Sequence, residues 1–156
     1  MGTSSHVLIY LIDMIYEDEL RNYFLTNKED VDMEINPKLN LDAYEASFLA
    51  IDTHTVGEFT RIILSGFPEL KGNTPIERKH YLAEHYDKYR QALMFEPRGH
   101  HDMFGAYLTD PISDEADFAV FFMDTGEYLN MCGHGTIGSV TAIIEGGLVE
   151  AKEPYT

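Results

Sequence analysis

The chain is poor in cysteine, in basic residues and in long apolar runs. Its one cysteine, Cys132, stands among 156 residues. It cannot close a disulfide within the chain, which removes the usual mark of a secreted scaffold and fits a reducing compartment, with the cytoplasm as the default location. Against 27 Asp and Glu there are 11 Lys and Arg, giving a formal net charge of −16. An exterior of that sign repels phosphate backbones and anionic lipid, so neither nucleic acid nor a membrane surface is expected as a partner. The first apolar run, His6-Val7-Leu8-Ile9-Tyr10-Leu11-Ile12, has no Lys or Arg before it and ends at Asp13, unlike a signal peptide. It is also far shorter than the ~20 residues a spanning helix needs. His6 occupies the position where N-myristoylation requires Ser or Thr. Internal repeats and low-complexity tracts are absent from the sequence.

What is present suits one ordinary domain: 44% hydrophobic residues, 12% of all residues being aromatic, supply a core and argue against disorder. Residues 1–45 are charge-rich and weakly periodic, and read as a partly helical extension before a main domain over 46–156. Phe48-Leu49-Ala50-Ile51 and Phe59-Thr60-Arg61-Ile62-Ile63-Leu64 read as strands joined by a short turn. Thr74-Pro75-Ile76-Glu77 combines a capping hydroxyl, a proline at the first helical position and a returning Glu, so a helix should run to about Leu93. Its stripe of Leu82, Tyr86, Tyr89 and Leu93 keeps helical spacing and reads as packing. Further strands are expected at Phe104–Leu108 and Phe118–Met123, the second apolar on both alternations and therefore covered on both faces. A short helix follows, with Ile137, Val140, Ala142, Ile143 and Ile144 on most sides and Gly146-Gly147 as its stop; such a helix should be buried.

The chemistry concentrates at Met131-Cys132-Gly133-His134-Gly135-Thr136-Ile137-Gly138, where the thiol falls at the start of that helix. Helix-start N–H groups hold anions, and a thiolate beside them can take a proton from a carbon next to a carboxylate. Gly133 and Gly135 leave backbone uncovered near the sulfur, and His134 can donate to it. The bland reading of a lone cysteine is a small buried hydrophobe. Three functional rivals exist. Gly133 to Gly138 is a literal G-x-G-x-x-G, but a dinucleotide site expects an acidic ribose ligand ~20 residues beyond, and only 18 residues follow Gly138. A Cys–His protease needs a separate histidine, for which His54 or His100 would have to serve. A metal site drawing on Cys132, His134, His54, His100 and His101 has poor spacing, so no metal is expected.

Taken together, Ile51-Asp52-Thr53-His54-Thr55-Val56-Gly57-Glu58, Glu96-Pro97-Arg98-Gly99-His100, Asp102-Met103-Phe104-Gly105 and Asn130-Met131-Cys132-Gly133-His134-Gly135-Thr136 resemble the amino-terminal half of the proline racemase family, which includes 4-hydroxyproline 2-epimerases. The likeness runs from about residue 48 to 147. It implies an α+β fold, one lobe of a diaminopimelate-epimerase-like architecture with a curved sheet wrapped around a central helix at 134–146. It also implies a cofactor-independent racemase or epimerase, without pyridoxal, in which two cysteines, one per lobe, face opposite sides of the α-carbon. Cys132 matches one of them, the amides of Gly133 and His134 match donors to the substrate carboxylate, and Phe104 matches a side chain against the substrate ring. An apolar residue there favours proline over hydroxyproline; a packing role in the core is the alternative. The family is about twice as long, and its other lobe brings the second cysteine, so the chain resembles a truncated enzyme, inactive alone. Two copies pairing about a two-fold axis would be one way to supply the missing face. A non-catalytic fragment that binds small carboxylates is the reading from a different class.

Overall fold

β-branched and aromatic residues recur in the segments that pair into the sheet, and between residues 46 and 124 neighbouring strand side chains go to opposite faces. The computed structural model describes residues 7–13 and 44–151. Among these, six strands form one sheet in chain order: β1 (Val7–Asp13), β2 (Ala46–Thr55), β3 (Glu58–Ser65), β4 (Phe104–Thr109), β5 (Ala119–Asp124) and β6 (Tyr128–Leu129). The β1/β2 and β3/β4 pairs are parallel and the other three antiparallel. The two helices are α1 (Pro75–Met94), which carries the chain from β3 to β4, and α2 (Gly133–Glu145), which follows β6. This is the expected α+β lobe. Val7–Asp13 joins the sheet rather than standing before it; the partly helical reading of the rest of 1–43 lies outside the described residues.

β2 and β3 are joined by Val56 and Gly57, both at positive φ, as a tight two-residue hairpin turn requires. Gly57 adopts this freely, whereas Val56 at φ 53° is β-branched, strained and fully exposed. The start of α1 is close to the expected capping box. Glu77 N–H donates to Thr74 Oγ1 at 3.2 Å, while the Glu77 carboxylate accepts from Asn73 N–H at 2.8 Å, one residue before the cap itself. α1 is kinked at Tyr86, whose φ of −130° lies outside the helical range.

The core is split by the sheet. One cluster, with Phe48, Ile63, Leu82, Leu93, Met94, Phe121 and Met123, fills the space between the sheet and α1. Tyr86 and Tyr89 of the expected stripe pack at its margin, half-buried. The other cluster holds Ile51, Ile62, Phe104, Ala106, Phe122, Cys132 and Ala142, between the sheet and α2. β5 therefore is covered on both faces, Phe121 and Met123 going one way and Phe122 the other. The expectation that α2 is buried nearly all round holds on one side only. Gly135, Gly138, Ser139, Ala142 and Ile143 are buried, but Ile137 is 58% exposed, because the described residues place the sheet against a single face of the helix. No helix among the described residues is long and apolar enough to cross a membrane.

Candidate active site

β6 and the short link Asn130-Met131 deliver Cys132 to the start of α2 in an extended conformation, φ −149° and ψ 123°, where it is the N-cap. N-caps need a side-chain acceptor for the orphan N–H groups of the first turn, a task usually given to Ser, Thr, Asp or Asn. Here the sulfur does it, accepting the Gly135 N–H at 3.3 Å. Its second neighbour is the His134 ring, with Nδ1 at 3.3 Å. The residue is 9% exposed, so the sulfur sits at the boundary between core and surface. Thr136 N–H and Oγ1 both donate to the Cys132 carbonyl, at 3.0 and 2.7 Å, and fix the cap from the other side.

The glycines of this turn divide the work. Gly133 is exposed, and a methyl group added there would meet nothing within 4 Å. Its amide and that of His134 are first-turn donors with no intrahelical acceptor. Gly135, expected to leave backbone uncovered, is buried instead: an added Cβ would lie 2.9 Å from the Phe104 ring, 3.1 Å from Phe122 and 3.2 Å from Cys132 Sγ. Its missing side chain lets the two rings and the sulfur close together. Gly138 plays the same part against β2, where an added Cβ would lie 2.9 Å from Thr53 Oγ1.

Phe104, at the start of β4, is 9% exposed and edge-on to the His134 ring, with centroids 4.6 Å apart. It therefore packs in the core and reaches the candidate site at once. It also lines an open cleft of about 730 Å³ together with Phe59, His100, Met103, Asp124 and Thr125. Cys132 and His134 are not in that lining; Phe104 lies against both the cleft and the His134 ring. A second cleft, of about 430 Å³ and lined by Ser65, Tyr107, Asp110 and Phe118 among others, lies at the far ends of β3 and β4, away from the sulfur.

The rival readings lose their geometry. His54 is exposed and its Nδ1 accepts the Gly57 N–H at 3.4 Å, closing the hairpin turn. His100 packs on the Phe59 ring at 5.5 Å, and His101 pairs with Asp102 at the surface. Neither His54 nor His100 bonds the Cys132 sulfur, so no protease-like pair forms. Among the described residues no three His, Cys, Asp or Glu side chains converge. The glycine fingerprint follows a two-residue antiparallel strand rather than a parallel strand of a β-α-β unit, which removes the dinucleotide reading.

Two features escaped the sequence. Asp52 and Arg61, on β2 and β3, form a buried two-pronged ion pair at 2.9 Å, and Arg61 also donates to the carbonyls of Leu93 and Arg98 at 3.0 and 2.7 Å. This ties the sheet to the end of α1 and to the Glu96–His100 loop. An acidic residue in one strand and a basic one in the next, each between an isoleucine and a threonine, are the only trace of it in the sequence. On the opposite face of β2, Thr55 Oγ1 donates to the His134 carbonyl at 3.1 Å. Asn130 is held from α1 by Lys79 Nζ.

A family model described as proline racemase matches residues 50–156. A proline racemase from Clostridioides difficile is 57% identical over 113 residues, covering 72% of this chain and 34% of that protein. A 4-hydroxyproline 2-epimerase from Shewanella loihica is 49% identical over 110 residues, covering 70% of this chain and 33% of its own length. The chain is similar in structure to a hydroxyproline epimerase from Agrobacterium vitis solved with trans-4-hydroxy-L-proline bound. The TM-score is 0.63 at 28% identity, over 69% of this chain and 32% of the other. The chain thus spans about a third of the length of the relatives it matches.

Proposed function

Because this chain belongs to the proline racemase family, we propose that Cys132 is an acid/base thiol that moves the α-proton of proline or hydroxyproline in a cofactor-independent racemase or epimerase. The observation that carries this reading is the sulfur's place as N-cap of α2, next to the first-turn amides of Gly133 and His134, which have no intrahelical acceptor. A substrate carboxylate held by those two amides sets its α-carbon beside the sulfur. The α-proton passes to the Cys132 thiolate, forming S–H, and the electron pair of the broken C–H bond moves into an enediolate-like carboxylate. Fixed N–H donors stabilise that developing charge more than the ground state, which is where rate is gained. A proton delivered to the opposite face by a second thiol completes the inversion, and running the same steps backwards gives the reverse reaction.

The second thiol is not among the 156 residues, since Cys132 is the one cysteine. A single sulfur serves one face at a time, so this polypeptide by itself is a half-site with little or no turnover. Phe104, edge-on to His134, supplies an apolar wall suited to the pyrrolidine ring and favours proline over its hydroxylated form. The relatives named for proline and hydroxyproline support this substrate class. A thiol that has to stay reduced suits the cytoplasm.

Titration of the isotopically labelled chain with pyrrole-2-carboxylate, a planar mimic of the deprotonated substrate, tests the reading. The amide resonances of Gly133 and His134 are expected to move saturably, and L-proline is expected to keep its optical rotation in the presence of the chain alone. Unmoved Gly133 and His134 resonances would refute the carboxylate site. Loss of rotation that Cys132→Ser abolishes would refute the half-site.

A further inference from the structure

The strands facing α2 carry two threonines in register, Thr53 and Thr55, whose side chains point at the helix from the same face of β2. Thr53 Oγ1 is occupied within the sheet, donating to the Thr60 carbonyl at 3.2 Å. Thr55 Oγ1 instead crosses to the helix and donates to the His134 carbonyl at 3.1 Å. That oxygen belongs to the peptide unit between His134 and Gly135. The N–H at the other end of the same planar unit is the one that donates to Cys132 Sγ at 3.3 Å. In a trans peptide the two groups point in opposite directions, so a donor that holds the oxygen also aims the N–H.

From this chain of contacts we infer that Thr55 is a positioning residue for the Cys132 sulfur, acting through the His134–Gly135 peptide. The inference rests on the acid/base reading of Cys132. Two physical effects run through the relay. The hydroxyl restrains the plane of the peptide, which keeps the Gly135 N–H on the sulfur. It also polarises the amide, because a carbonyl that accepts a hydrogen bond leaves its own N–H a stronger donor. A stronger, better aimed donor holds the sulfur in one orientation at the helix start, where it meets an incoming electrophile. Gly138 completes the arrangement: only a residue without Cβ lets the helix approach Thr53 closely enough for Thr55 to reach the first turn. The Asp52-Thr53-His54-Thr55 stretch thereby gains a meaning on both faces of β2, with Asp52 clamped to Arg61 on one side and Thr55 holding the thiol's peptide on the other.

Alkylation of Cys132 by iodoacetamide tests this without substrate, and the sole cysteine leaves no doubt about the site of reaction. Thr55→Val keeps the shape and removes the donor; it is expected to slow alkylation at neutral pH about three-fold, while Thr55→Ser restores the original rate. A folded Thr55→Val chain that reacts as fast as the parent would overturn the inference, as would a Thr55→Ser chain as slow as Thr55→Val. Amide hydrogen exchange in the unaltered chain gives a second reading that no folding defect can cloud. The Gly135 amide is expected to exchange at least about ten-fold more slowly than those of Gly133 and His134, and equal rates for the three would also overturn it. Because neither experiment contains a substrate or analogue, failure of the proposed racemase chemistry leaves their outcomes unchanged, and failure here leaves the carboxylate titration standing.

Discussion

The two faces of the sheet are built on different rules. Towards α1 the chain presents bulk: Phe48, Ile63, Leu82, Leu93, Met94, Phe121 and Met123 interlock, and the Asp52–Arg61 pair closes the edge with four hydrogen bonds. Towards α2 the apolar cluster of Ile51, Ile62, Phe104 and Phe122 is interleaved with small and polar groups: Thr53 and Thr55 on the strand and Gly135, Gly138, Ser139 and Ala142 on the helix let the two come close. Thr60 Oγ1 and Ser139 Oγ are buried on this side without a hydrogen-bond partner among the described residues. The difference teaches a division of labour. The α1 face gains stability from apolar burial, whereas the α2 face gives some of that up to fix a thiol and a helix start in place.

The largest effect expected from this contrast lies on the α1 face. Arg61→Leu leaves the Asp52 carboxylate buried and uncompensated and strands the carbonyls of Leu93 and Arg98, so urea denaturation should show a loss of about 3–5 kcal/mol. A loss under 1 kcal/mol would mean that the clamp contributes specificity alone. The next effect separates the two glycines of the thiol turn. Gly135→Ala forces a methyl group against Phe104, Phe122 and Cys132 Sγ and should cost about 1–3 kcal/mol. Gly133→Ala meets open space and should leave stability within about 0.5 kcal/mol of the parent, so similar melting shifts for the pair would break the contrast. The smallest change is Ser139→Ala. Deleting a buried hydroxyl that has no partner should be neutral or stabilising by up to about 1 kcal/mol, and a clear loss in thermal denaturation would reveal a bond that the geometry does not contain.

Much of the fold is legible in the sequence where periodicity is strong. The strands around Phe48 and Phe59, the helix opened by Thr74-Pro75 and the doubly covered Phe121-Phe122-Met123 strand each follow from spacing and turn chemistry. β6 was not legible, because two residues carry no period, and Val7–Asp13 joins the sheet through backbone pairing that no local pattern announces. At the site, Cys132 with Gly133 and His134 stood out as a thiol at a helix start, and the structure brings Phe104 to them. The roles of Gly135 and Thr55 depend on partners 31 and 79 residues away, Phe104 and His134, which is why spacing alone presents Gly135 as open backbone. Long-range pairing governs Arg61 too: a charged residue in a largely apolar strand is legible as buried only once its partners are placed.

On the proposed reading, the Cys132 sulfur faces a carboxylate site at the start of α2. That placement is tested most directly by the rate at which iodoacetamide alkylates Cys132 in the folded chain as pyrrole-2-carboxylate is added. A sulfur at a carboxylate site is reactive in the native state, and its rate falls saturably as the analogue fills the site. A sulfur that reacts only as fast as the chain unfolds, with a rate indifferent to the analogue, would contradict that placement and return Cys132 to the role of a small buried hydrophobe.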